Sequence, residues 1–113
     1  MDHNGGCGIG TENWVFIQHA DGTVMQYVHL TQNGVLVSVG ESVAQGQTIA
    51  ISGNTGCSSG PHLHTWLFRD TTDFSRKASL PVNYRNADGP LDHNNALVIG
   101  GVYTALPFTP DDR

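Results

Sequence analysis

Short apolar stretches with a two-residue period, each ended by glycine or another turn residue, constrain this chain more than any other feature. From Trp14 to Gln18, aromatic and β-branched residues alternate as they do in a buried strand. Asp21-Gly22 is a strong hairpin signal, and residues 24–30 supply the returning strand. No segment longer than about eight residues has the spacing of an amphipathic helix. The pattern predicts an all-β fold built on an antiparallel, sandwich-like sheet.

The same pattern predicts further strands along the chain. They cover residues 35–39, 48–52 and 62–69, and the glycine-rich loop 53–61 leads into the last of them. Beyond residue 70 we expect a polar excursion, a short edge strand over residues 80–84, and a closing hairpin or bent strand of residues 96–99 and 102–106 around Gly100-Gly101.

Composition excludes several classes of protein. The 113 residues are enough for one domain, and with 38% hydrophobic and 13% charged residues the chain is not of the disordered type. Its net charge of −5 argues against a nucleic-acid partner, because few cations are present to contact phosphates. It has no apolar run of about 18 residues, so no membrane span is predicted.

The two cysteines, Cys7 and Cys57, leave three interpretations open. They can form a disulfide, remain as two buried thiols, or bind a metal. The disulfide is expected only if the protein works outside the cytoplasm, where oxidised cysteines persist.

Three histidines form the most informative set of polar residues. On a strand, His62 and His64 project from one face about 7 Å apart while Leu63 points to the other, so both imidazoles can serve one metal site. Two surface histidines on a half-exposed sheet would have the same spacing. His29 ends a neighbouring strand that can bring it against His62, which favours metal or general-base chemistry.

Four motifs together carry a family resemblance. Residues 27–30, 39–50, 52–56 and 60–64 resemble, in order and spacing, the lysostaphin-type zinc endopeptidases of bacterial cell walls. The similarity covers residues 13–69. It implies a peptidase domain over residues 1–69 and a C-terminal β extension over residues 70–113, packed on the same domain.

The resemblance also implies roles for individual residues. His64 would bind one zinc ion, while His29 and His62 would assist attack by water and stabilise the tetrahedral intermediate. Tyr27 and Asn54 would bind substrate. For Tyr27 the sequence leaves open whether the side chain faces the site or the core. The family cuts peptide cross-links of peptidoglycan, which implies a place in the bacterial cell envelope or outside the cell.

The chain departs from the family pattern at its start. The family's upstream histidine and aspartate ligands lie in an H-x-x-x-D motif, and none of His3, His19, His29 and His93 has aspartate four residues later. Catalytic zinc normally has three protein ligands. We therefore expect a fragment that lacks the first strand or strands and two zinc ligands, and that is inactive alone. The first residues also lack the pattern of a secretion signal.

Three alternatives stay open. The first is a non-catalytic module that binds cell wall or activates another hydrolase. The second is a biotinyl- or lipoyl-type carrier, suggested by residues 39–50, but its modifiable lysine would have to be Lys77, which lies in a polar stretch. The third is a zinc site completed by a second chain, and the oligomeric state is not determined by the sequence.

Overall fold

A computed structural model describes residues 11–69, 79–80, 82, 87–92 and 96–106. The chain divides into two units, Met1–Leu80 and Pro81–Arg113. The strands in the described residues are β1 (Asn13–Gln18), β2 (Val24–Val35), β3 (Ala50–Ser52), β4 (His64–Phe68), β5 (Ala87–Asp88) and β6 (Thr104–Ala105). None of the described residues forms a helix long and apolar enough to cross a membrane. The all-β, antiparallel prediction is confirmed.

The predicted hairpin joins β1 to β2. The two strands pair in register from Trp14↔Val28 to Gln18↔Val24. In the turn, the Asp21 carboxylate accepts hydrogen bonds from the hydroxyl and the backbone N–H of Thr23, at 2.6 and 2.9 Å. These bonds, the hydroxyl bond first, hold the pKa of Asp21 below its ordinary value. The turn is therefore fixed by a local side chain, as its Asp-Gly sequence indicates.

β2 is the central strand of the first unit. β1 occupies one edge, while β4 pairs along Val24–Val28 on the other edge and β3 pairs there at Leu30 and Val35. β3 and β4 thus follow one another along the same edge, with residues 53–63 leaving the sheet between them. Every pairing in this sheet is antiparallel.

One face of this sheet carries an aromatic cluster. Residues directly opposite one another in antiparallel strands share a face, so the register puts three cross-strand rows on this side: Trp14–Val28–His64, Phe16–Gln26–Trp66 and Gln18–Val24–Phe68. Ring centroids lie 4.7 Å apart for Trp66–Phe68 and 6.0 Å for Phe16–Phe68. Phe68 is fully buried, which makes it the anchor of the core.

Several predicted strands have different bounds. β3 and β4 are shorter than predicted, and the prediction that His62 lies on a strand is wrong, because its backbone N–H bonds to the Gly53 carbonyl in the loop before β4. β2 continues to Val35 instead of breaking at Leu30, and the predicted strand over residues 35–39 is wrong because Ser38 already begins a turn closed by the Glu41 N–H. A second turn, closed from Gln47 to Ala44, repeats the arrangement. In both turns the side-chain oxygen of the fourth residue accepts a hydrogen bond from the backbone N–H of the first.

The second unit differs from the predicted closing hairpin. β6 pairs with β5, and Leu97 bridges to Leu91, so the partner of the last segment is residues 87–91. The Tyr103 hydroxyl links the two segments, because it accepts from the Val98 N–H and donates to the Pro90 carbonyl. Leu80 and Val82 are not in a strand, and the rest of the predicted edge strand over residues 80–84 lies outside the described residues.

Candidate metal centre

A β-bulge in β2 positions the first histidine. Asn13 pairs with Leu30 and Trp14 with Val28, so His29 is an extra residue with no opposite partner on β1. Its φ is 63°, in the left-handed region that histidine adopts more readily than most residues. A non-glycine residue with such a φ destabilises the fold by about 1–3 kcal/mol. It keeps this conformation only where the surrounding contacts hold it. The surroundings of His29 are therefore part of the site.

On the other edge of β2, His29 faces the excursion made by residues 53–63. Ser52 pairs with Leu30 and His64 with Val28, so the loop leaves and returns on either side of His29. The His29 carbonyl accepts from the Gly53 N–H at 2.9 Å, and the Gly53 carbonyl accepts from the His62 N–H at 3.3 Å. The backbone of Gly53 therefore connects the two histidines.

Two glycines allow this loop to lie against the sheet. A Cβ on Gly53 would come within 2.6 Å of the Thr31 backbone nitrogen, and one on Gly56 within 2.6 Å of the Glu12 Cβ. Gly56 also has a φ of 80°, which L-residues rarely adopt. The loop is packed too closely at these points for any larger residue.

The structure brings His29, His62 and His64 together. One ring nitrogen from each lies within 4.8 Å of the other two. The ring of His29 is central, with centroid distances of 4.7 Å to His62 and 5.8 Å to His64. His29 is half-buried, whereas His62 and His64 are exposed. The cluster is thus open to solvent at the end of the aromatic face.

Backbone carbonyls determine which nitrogen of two rings is available. Nδ1 of His29 lies 2.6 Å from the Thr55 carbonyl oxygen, and Nδ1 of His62 lies 2.8 Å from that of Gly60. A carbonyl oxygen only accepts, so Nδ1 is the donor in each bond, and in the neutral form of each ring Nε2 then carries the lone pair. Histidines that bind metal are commonly oriented by such a bond from the other ring nitrogen.

The donor set fits a divalent metal ion. Neutral imidazole is a common ligand of transition metals, and three such rings meet here. Two nitrogens on one tetrahedral zinc ion would lie roughly 3.4 Å apart. The 4.8 Å limit of the cluster is wider, so the spacing does not require all three rings to bind the ion directly. Among the described residues, no carboxylate or thiol joins the cluster.

The other residues singled out from the sequence lie elsewhere. Tyr27 pairs with Thr65, one residue out of step with the Val28–His64 pair, so alternation puts it on the opposite face from His64. Asn54 is exposed in the loop between Gly53 and Thr55. Their substrate-binding roles stay predictions.

The disulfide is also still a prediction. Cys57 is exposed in the loop and is not a free thiol. Its predicted partner, Cys7, lies outside the described residues.

Sequence reasoning missed two residues that hold the cluster. Thr55 is buried and presents its carbonyl to His29, and Ser58 places its hydroxyl 3.1 Å from Nδ1 of His62. Their position between glycines could have indicated them, since the side chains of Ser and Thr in such loops commonly form hydrogen bonds with nearby backbone groups. That signal does not tell which histidine such a residue serves.

The chain is similar to several known proteins. The chain is 42% identical over 71 residues to the peptidoglycan DD-endopeptidase ShyA of Vibrio cholerae, which is 62% of this chain and 16% of that protein. It is 48% identical over 52 residues to ShyC of the same organism, also a peptidoglycan DD-endopeptidase (46% of this chain, 12% of ShyC). An uncharacterized metalloprotease of Haemophilus influenzae is 44% identical over 55 residues (49% of this chain, 11% of that protein).

The matched part of this chain therefore spans only 11 to 16% of the length of these relatives. No solved structure gives a significant match. Residues 3–76, which include all three clustered histidines, match the sequence profile of Peptidase family M23. The chain belongs to peptidase family M23.

Proposed function

We propose that this chain carries the histidine half of a zinc endopeptidase site that hydrolyses peptide cross-links of bacterial peptidoglycan. The observation that supports the proposal best is that the ring nitrogens of His29, His62 and His64 lie within 4.8 Å of one another, in a chain of this family. The similarity to two peptidoglycan DD-endopeptidases supports the substrate class. Work on peptidoglycan would take place outside the cytoplasm.

His64 is the proposed zinc ligand, and ligands beyond the three histidines would come from outside the described residues. Zinc, when bound, polarises a carbonyl group and lowers the pKa of water. The exposed position of His62 and His64 leaves room for an extended peptide beside the cluster.

His29 and His62 are the proposed proton carriers. Because each Nδ1 donates to a backbone carbonyl, each Nε2 can accept a proton from the attacking water. The protonated ring can then donate from Nε2 to the oxygen that becomes negative in the transition state. His29 lies between the other two rings, so it is best placed to act on the same atom as His62.

Zinc titration tests the metal role. We would titrate the 113-residue chain by calorimetry and compare it with His64→Ala and His19→Ala. His19 is a matched control, because its ring bonds to Thr23 in the β1–β2 turn and does not belong to the cluster. We expect His64→Ala to weaken zinc binding by at least about tenfold and His19→Ala to leave it unchanged. Equal binding by all three proteins would contradict the site.

Digestion of purified peptidoglycan tests the reaction. Zinc-dependent release of peptides that is lost in His64→Ala and kept in His19→Ala would support the endopeptidase. Zinc binding at His64 with no cleavage, either by the chain alone or after addition of a peptide with the family's H-x-x-x-D motif, would favour the non-catalytic cell-wall module instead.

A further inference from the structure

We propose that Thr55 is the positioning residue that fixes His29 in its Nδ1–H tautomer, by bridging the β-bulge with its hydroxyl while its carbonyl accepts the ring proton. The catalytic meaning of this arrangement depends on the function proposed above. The tautomer itself does not, and it can be measured in the absence of metal and substrate.

The hydroxyl of Thr55 lies between the two strands at the bulge. Its Oγ1 accepts from the Asn13 N–H at 3.0 Å and donates to the Leu30 carbonyl at 2.5 Å. Asn13 and Leu30 are the first pair beyond His29, where the ladder shifts register. The hydroxyl thus connects β1 to β2 at the point where the extra residue separates their backbones.

This position is closed to water. Thr55 is only 6% exposed, and Asn13 and Leu30 are 1% exposed. A buried N–H or carbonyl that loses its partner is destabilised because water cannot replace the bond. The backbone of Thr55 is therefore held in place by two buried partners on different strands.

The same residue holds the histidine ring through its main chain. The Thr55 carbonyl oxygen lies 2.6 Å from Nδ1 of His29. Gly56 follows directly and packs against Glu12, so the peptide group that carries this carbonyl is fixed from both sides. The side chain of Thr55 sets where its own carbonyl points, and the carbonyl sets which ring nitrogen keeps the lone pair.

His62 provides an internal control. Its Nδ1 bonds to the carbonyl of Gly60 and lies near the Ser58 hydroxyl, and neither contact involves Thr55. A change that acts only through Thr55 should alter the tautomer of His29 and leave that of His62 unchanged. General loosening of the fold would alter both rings.

The experiment is a long-range ¹H–¹⁵N correlation spectrum of the imidazoles in the metal-free 113-residue chain. It is recorded at about pH 8.5, where imidazole is neutral. Lone-pair and protonated nitrogens differ widely in ¹⁵N shift, so each ring reports its tautomer. We expect His29 and His62 both to be Nδ1–H in the unmodified chain. A His29 ring found as Nε2–H would overturn the proposal at once.

Variants of Thr55 separate the hydroxyl from packing. Thr55→Ser keeps the hydroxyl, and we expect it to keep His29 as Nδ1–H. Thr55→Val keeps the shape without the hydroxyl, and we expect His29 to become a mixture of tautomers while His62 stays Nδ1–H. Thr55→Ala, which places no methyl group against the Asn13 N–H and the Leu30 carbonyl, is the second variant in case the valine chain does not fold, and we expect it to give the same selective change. Folded valine or alanine variants with His29 still wholly Nδ1–H would refute the role of the hydroxyl.

Discussion

The two halves of β2 differ in regularity and in content. From Val24 to Val28 the strand is paired on both edges in continuous register, and three of its five residues are buried and apolar. From His29 to Val35 the register shifts on both edges, and two residues, His29 and Asn33, have positive φ. The histidine cluster is at the junction of these halves.

The regular half of β2 stabilises the sheet, whereas the irregular half carries a residue of the candidate site. The regular half carries the aromatic cluster. It also fixes the position of His64 along the sheet, because His64 pairs with Val28. The irregular half takes His29 out of the alternation, and there the Thr55 hydroxyl bridges β1 and β2. In a regular strand, His29 would lie on the opposite face from Val28. It would then also lie on the opposite face from His64, which pairs with Val28. The bulge is therefore what brings the third ring to the site.

The largest effect is expected in the regular half. Phe68→Ala removes the fully buried ring at the end of β4, and we expect it to lower the free energy of unfolding by about 3–5 kcal/mol. His64→Ala, in the same strand, is exposed and should change stability by less than about 0.5 kcal/mol. Urea unfolding followed by tryptophan fluorescence measures both. Similar losses for the two variants would show that the cluster also supports the fold.

Two glycines with the same backbone conformation test the packing of the loop. Gly22 and Gly56 have φ values of 88° and 80°, but only Gly56 has a neighbour, Glu12, within reach of a Cβ. Gly22→Ala should cost about 1–2 kcal/mol for the conformation alone. Gly56→Ala should cost about 2–4 kcal/mol, because overlap with Glu12 is added, and it should also weaken zinc binding. Equal costs in thermal unfolding would mean that the loop can move away from Glu12.

Alanine and glycine at the bulge should reverse their usual order. His29→Gly is expected to be more stable than His29→Ala by about 1 kcal/mol, since glycine adopts the left-handed conformation without strain. At Thr65, in the regular part of β4, glycine should be less stable than alanine by about 0.5–1 kcal/mol. The four variants are compared by urea unfolding. The usual order at both positions would argue that the bulge relaxes when the ring is removed.

The smallest effect concerns the turn of the regular hairpin. The pKa of Asp21 is lowered by hydrogen bonds from Thr23, so the charged carboxylate favours the folded state. This contribution is present above the ordinary pKa of 3.8 and is lost as pH falls through the lower folded value. Asp21→Asn should therefore destabilise the chain at about pH 6, and the difference should shrink as pH falls below 3.8. A difference that persists in acid would assign the effect to the amide and not to charge.

Much of the first unit was predictable because its signals are local. Alternation located β1 and the core of β4, and Asp21-Gly22 located the turn between β1 and β2. The spacing of His62 and His64, taken together with His29, favoured a shared site, although His62 lies in the loop before β4 and not on the strand. Local patterns failed in the second unit, where β6 pairs with β5 and the Tyr103 hydroxyl bonds to Pro90, 13 residues away in the sequence.

The sequence by itself determined the strand-forming stretches, the family and the three histidines, because period, turn chemistry and motif order are properties of neighbouring residues. Only the tertiary structure decided that His29 is a bulged residue with a left-handed backbone, and that Thr55 spans the gap beside it. The physical reason is that a bulge is a mismatch between two strands. Its cost and its compensation come from residues up to 42 positions apart, which no local pattern records.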